Sequence, residues 1–206
     1  LTGLVYSGIQ SMELMQERWF DKSGLFPELA FFDCHSCHHP MDQLRWQPQQ
    51  ASAGLPPGTV RLNDASLSVL VSVLESINPK GAQELRSALK KLHLASTRGR
   101  EAVMREAKSM VKVLQSFESD TVKREYTEVD MKALRQSLLK KSATGEYRDF
   151  TSAEQVFMAV ETLCIALKQD GKYSKKLDNL FATVKDENKF TPSKFAASAR
   201  NFAAQL

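Results

Sequence analysis

A short run of cysteine and histidine residues constrains this chain more than any other feature. Cys34, Cys37 and His38 have the spacing Cys-x-x-Cys-His, and His39 follows directly. Two thiols three positions apart on a helical turn can each add to one vinyl group of a porphyrin, and the next imidazole then lies under the iron. The spacing therefore predicts one covalently bound haem c, with Cys34 and Cys37 as thioether residues and His38 as the proximal iron ligand.

A structural zinc ion is the alternative use of the same residues. Cys34, Cys37, His38 and His39 are all zinc ligands by residue type. Two adjacent histidines can rarely both reach one tetrahedral ion, and no second Cys/His pair follows downstream to complete four ligands. The pattern therefore favours haem over zinc.

The sixth iron ligand has several candidates. His39 lies beside His38, so it cannot reach the opposite face of the same porphyrin. Met12 and Met15 lie on a predicted helix before the motif, and His93 lies beside a stripe of leucines further along the chain. Methionines at helical spacing are typical of core packing, and such a histidine is typical of a partly buried, hydrogen-bonded residue. Met12, Met15 and His93 are therefore candidates for the sixth iron ligand, and core packing is the alternative role of each.

The paired histidines and their surroundings resemble segments of known multihaem cytochromes. The string Cys37-His38-His39-Pro40-Met41 resembles cytochromes of the cytochrome c3 kind, and that likeness implies that His39 is the distal ligand of a neighbouring haem. The wider stretch 26–46 has an acidic and aromatic lead-in and a tryptophan after the motif. It resembles the last haem-binding segment of bacterial cytochromes related to cytochrome c-554.

The resemblance covers about residues 1–60 and implies further haems upstream of this segment. Only one CxxCH is present here, whereas that family carries several. We therefore expect either that an upstream haem domain is missing from this chain or that the protein is a single-haem relative. Because thioether attachment normally occurs outside the cytoplasm, we expect an exported bacterial protein that lies in the periplasm.

Apolar residues recur at helical spacing along almost the whole chain, and strand patterns are absent, which predicts an all-α fold. Residues 47–60 contain three prolines, two glycines and no charge, which is typical of a linker. The predicted organisation is a haem-binding helical segment over 1–46, this linker, and a helical bundle domain over 61–206.

Local signals predict where individual helices begin and end. Asn63-Asp64 is an expected N-terminal cap, and so is the stretch from Thr127 to Asp130. Thr151 to Glu154 has the pattern of a capping box, and Gly171 is the expected end of the helix that follows.

The bulk properties exclude some functional classes. The net charge is −3 over residues 1–50 and +7 over 51–206, but the basic residues alternate with glutamates as on a solvated helix face, so no nucleic-acid partner is expected. The longest apolar stretch, 67–74, is too short to span a membrane. Cys164 lies in an apolar run and is expected to be a small buried residue.

Three functions follow from these patterns. The first is electron transfer, in which the haem passes electrons between redox partner proteins or further haem domains. The second is a haem segment of a multihaem oxidoreductase that acts on small nitrogen or sulfur species. The third is a haem-containing binding or sensing protein whose helical residues 61–206 carry the function.

Overall fold

The structure, a computed structural model, describes residues 2–17, 31–32, 55–56, 59, 61–117 and 123–206. Within these ranges the chain forms eight α-helices, and its one pairing of β type is an isolated antiparallel bridge between Phe32 and Leu62. The predicted all-α class is confirmed. The helices are α1 (Thr2–Leu14), α2 (Ala65–Ile77), α3 (Pro79–Ser96), α4 (Arg100–Ser116), α5 (Glu128–Ala143), α6 (Phe150–Ala166), α7 (Asp170–Val184) and α8 (Pro192–Ala203).

The chain forms two compact units, Leu1–Arg124 and Glu125–Leu206. Helix α1, which belongs to the predicted haem segment, packs against α2 and α4 of the predicted helical domain. Residues on either side of the predicted linker therefore share one unit, and the division that the structure shows falls inside the region 61–206. The linker at 47–60 lies almost entirely outside the described residues and stays a prediction.

The first unit is built around helices α2, α3 and α4. Helix α3 packs against both α2 and α4, and α1 covers α2 and α4. The run from Val69 to Leu74 in α2 is buried on every side, which is typical of a central helix. On α3 the buried residues recur at the three- and four-residue spacing of a single helix face. The largest fully buried side chains of this core are Met12, Leu62, Leu70, Leu74, Leu85, Leu92, Met110 and Leu114.

Asn78 separates two helices of the first unit. It ends α2, and its side chain accepts a hydrogen bond of 2.9 Å from the backbone N–H of Gly81 in the first turn of α3. Pro79 occupies the first position of α3, where a missing N–H costs no helical hydrogen bond. One polar residue and one proline therefore turn the chain sharply between the two helices.

The second unit contains α5 to α8. Helix α5 packs against α6 and α8, and α7 also packs against α6 and α8, so the four helices surround a single core. The buried apolar residues lie at helical spacing on each element, as the sequence predicted. The core includes Leu134, Leu138, Leu139, Val156, Val160, Leu180, Phe195, Ala199 and Phe202.

Two of the predicted helix ends in this unit are wrong, and one is confirmed. Thr127 and Asp130 form a capping box at the start of α5, as predicted. Helix α6 begins earlier than expected, because Asp149 caps it by accepting a hydrogen bond of 2.7 Å from the backbone N–H of Ser152. It also ends earlier: Lys168 adopts the left-handed conformation with φ of 54°, and Gly171 lies inside α7.

Candidate functional site

The chain leading to the predicted haem motif is fixed to the core of the first unit. Cys34, Cys37, His38 and His39 lie outside the described residues. Phe31 and Phe32 directly precede this stretch and pack, half-buried, against the core cluster. Phe32 forms the antiparallel bridge with Leu62, and the backbone N–H of Asn63 donates a hydrogen bond of 2.7 Å to the carbonyl oxygen of Phe31. The motif therefore begins two residues after a backbone anchor.

A buried network of charged side chains contacts the segment that pairs with this anchor. The backbone N–H of Leu62 donates a hydrogen bond to His93 Nδ1, with an N–N distance of 3.3 Å. His93 Nε2 lies 2.9 Å from Asp64 Oδ2. The other oxygen of Asp64 accepts a hydrogen bond from the guanidinium of Arg61 and forms an ion pair with it. All three side chains are buried, so Asp64 is the centre of a network that connects α3 to the segment paired with Phe32.

The carboxylate of Asp64 stays ionised despite its burial. Burial alone raises the pKa of this group, because it disfavours the charged form. The positive charge of Arg61 and the hydrogen bond from His93 lower the pKa by more, so that it lies well below the ordinary value of an aspartate. The network therefore carries a buried negative charge that two neighbouring donors stabilise.

The hydrogen bonds of His93 bear directly on its candidacy as an iron ligand. Because the N–H of Leu62 donates to Nδ1, the ring proton of a neutral imidazole lies on Nε2 and points at Asp64. Both ring nitrogens are engaged, so coordination of iron would require the loss of one of these two bonds. In this structure His93 is a buried, hydrogen-bonded residue of the first unit, with 1% of its surface exposed.

Met12 and Met15 are both part of the hydrophobic core. Met12 lies on α1 and Met15 follows that helix, and their exposed fractions are 1% and 2%. Each belongs to the same apolar cluster as the buried residues of α2, α3 and α4. The structure thus places both side chains in core packing, and a role in iron ligation stays a prediction.

Sequence reasoning missed Arg61 and Asp64 as members of a site. Asp64 was expected to cap α2, but its side chain makes no capping hydrogen bond, since its oxygens are used by Arg61 and His93. A charged pair three residues apart was visible in the sequence. Its partner on α3 was not, because nothing in the local pattern indicates which later residue packs there.

A second buried cation lies in the other unit. Arg135 donates hydrogen bonds to Gln169 Oε1 at 2.9 Å and to Cys164 Sγ at 3.5 Å, and its guanidinium lies over the ring of Tyr173, 5.0 Å from the centroid. Its Nε has no hydrogen-bond partner among the described residues. Burial raises the pKa of the Cys164 thiol, although Arg135 opposes this. Cys164 is therefore the free, buried thiol that the sequence predicted.

The described residues contain no group of three or more His, Cys, Asp or Glu side chains placed to hold a metal ion. In that same part of the chain, no helix combines the length and the apolar character needed to cross a membrane. Comparisons with family models, with curated proteins and with solved structures found no match. The resemblance of residues 26–46 to the cytochrome c-554 family therefore stays a prediction.

Proposed function

We propose that this protein is a periplasmic c-type cytochrome that transfers electrons through a haem bound covalently to Cys34 and Cys37. The observation that carries the proposal is the Cys-x-x-Cys-His spacing that ends at His38. A haem held there would supply a one-electron centre whose potential depends on its axial ligands and its burial. His38 is the proximal ligand in this proposal.

The described residues fix the chain two residues before the motif. Phe32 is bridged to Leu62, and Leu62 is held by His93 and through it by Asp64. A site supported by locked neighbouring residues keeps its geometry better than one on an unsupported loop. The buried network therefore supports Phe32, which lies two residues before Cys34.

The proposal includes a role for His39 in a chain of haems. Adjacent imidazoles on one helical turn project about 100° apart, so His38 and His39 can serve two different irons. The second haem would come from a further haem domain or from a partner chain. This arrangement would allow electrons to pass between neighbouring haems and on to redox partner proteins.

The direct test is the mass of the intact protein after export in a bacterium that carries the machinery for cytochrome c maturation. We expect a chain heavier than its sequence by one haem, and acid acetone should not extract the pigment. The double variant Cys34→Ala/Cys37→Ala should lose the covalent pigment. The matched control Cys164→Ala should keep it, since that thiol is buried in the other unit. An unmodified mass, or bound zinc without haem absorbance, would reject the proposal.

Two histidine variants then test whether His38 is the proximal iron ligand and whether His93 is only a buried residue of the core. His38→Ala should abolish the low-spin haem spectrum while the thioethers remain. His93→Gln should keep that spectrum, because both nitrogens of His93 are already hydrogen-bonded to protein groups. Loss of the low-spin spectrum in His93→Gln, with helical circular dichroism unchanged, would instead identify His93 as the sixth ligand.

A further inference from the structure

One helical hairpin of this protein carries an excess of positive charge. Residues 80–112 include most of α3, all of the turn after it and most of α4, and they contain nine basic and three acidic side chains. The excess of six positive charges in this stretch is larger than the net charge of +4 of the whole chain. The rest of the protein is therefore slightly acidic in total.

Most of these basic residues lie on the exposed sides of two helices that pack side by side. We define the basic face as six exposed residues that form no ion pair with any described residue: Lys80, Lys90, Lys91, Arg98, Lys108 and Lys112. Arg86 and Arg105 are not included, because they pair with Glu75 and Glu106. The basic face thus presents positive charge that the described part of the protein does not neutralise.

We propose that the basic face binds a protein partner with an acidic surface. Complementary charge accelerates protein association and selects among partners, and the exposed lysines on this face provide it. Once formed, such a contact would leave the helices unchanged, since the side chains involved are already directed to solvent.

Two other classes of anionic partner fit the hairpin less well. Residues 80–112 contain no Phe, Tyr or Trp on which nucleic-acid bases could stack. The large apolar side chains exposed in the described part of the chain all lie outside 80–112, so this stretch offers none to insert into a lipid headgroup region. A folded protein with an acidic patch requires neither feature.

The position of α3 gives this surface a connection to the proposed haem. His93 on α3 holds Leu62, which pairs with Phe32, two residues before Cys34. A partner bound on the hairpin would therefore dock on the same compact unit that carries the motif. That the partner is an electron-transfer protein rests on the proposed function, whereas binding to an acidic protein does not.

The test uses the full chain and a flavodoxin, a small acidic electron-transfer protein, and measures the association rate by stopped flow at low and at physiological salt. Lys91→Glu/Lys108→Glu reverses two charges on the basic face. The control Lys175→Glu/Lys185→Glu makes the same change in net charge at exposed lysines of the second unit. We expect the first variant to slow association at low salt by about tenfold or more and the control by about twofold or less.

Several results would overturn the inference. They are an equal slowing in both variants, no binding of flavodoxin by the wild type, or tighter binding of the wild type to short duplex DNA or to phosphatidylglycerol vesicles. Circular dichroism of both variants confirms that the helices remain folded. Failure of the proposed function looks different: the intact mass would lack haem while the binding of flavodoxin and its dependence on the basic face persist.

Discussion

Asp64→Asn tests whether the buried network stabilises the first unit. The substitution keeps the size of the side chain but removes the negative charge that faces Arg61 and His93. Both partners are buried, so Arg61 would lose the negative charge of Asp64 in a poorly solvated place. Breaking a buried ion pair on one side typically costs about 3–5 kcal/mol. Since the amide oxygen can still accept one hydrogen bond, we expect a loss of about 3 kcal/mol in the stability of this unit.

Native-state hydrogen exchange followed by mass spectrometry measures this loss unit by unit. Peptides from 61–117 should lose protection in Asp64→Asn, with the amide of Leu62 among the most affected, because it donates to His93. Peptides from 128–203 provide an internal control, since they belong to the second unit. A free-energy change under about 1 kcal/mol in the first unit, or an equal change in both, would refute the reasoning.

The double variant Arg61→Met/Asp64→Leu sharpens the interpretation. Replacing both members of a buried ion pair by apolar residues is often nearly neutral, since no unpaired charge remains. His93 would still lose the acceptor of its Nε2 proton, which costs about 1–3 kcal/mol. We therefore expect the double variant to be no less stable than Asp64→Asn. A much larger loss in the double variant would show that the charges themselves stabilise the unit.

Three further predictions concern pH and helix ends. The pKa of Asp64 is lower in the folded state than in the unfolded chain, so the contribution of its carboxylate to folding stability is complete above the unfolded value of about 4 and is lost as the pH falls below that value. Acid titration of the free energy of unfolding should therefore show a smaller loss in Asp64→Asn than in the wild type. Lys168→Gly should stabilise the second unit by about 1 kcal/mol in urea denaturation, because a left-handed residue is strained unless it is glycine, and a destabilised variant would contradict this. Thr127→Ala should cost about 1 kcal/mol through loss of its capping bond, whereas Thr191→Ala, whose side chain makes no such bond, should cost less in the same assay.

Local chemistry made much of the helical architecture predictable. The capping box at Thr127 was correct because both of its partners lie within four residues of sequence. The start of α6 was misplaced because Asp149 and Thr151 both satisfy the local pattern, and only the observed bond to Ser152 selects the first. Gly171 was the expected end of α6, but the backbone turns at Lys168, a residue with no intrinsic preference for that conformation.

Long-range pairing was much harder to predict. The ion pair of Arg61 with Asp64 is local, but the hydrogen bond that His93 on α3 donates to Asp64 depends on a contact that no periodicity specifies. The division into units at Arg124 and Glu125 depends in the same way on which helix faces pack together. The expected cysteine and histidine ligands at 34–39 are defined by their spacing alone and lie outside the described residues.

The bridge between Phe32 and Leu62 fixes both ends of the stretch 33–61 on one core, and this contact closes the chain between them. The entropy of closing such a loop changes only slowly with its length, by about 0.6 kcal/mol for each doubling. Insertions within 33–60, which leave Arg61 and its ion pair with Asp64 in place, should therefore cost little in closure entropy.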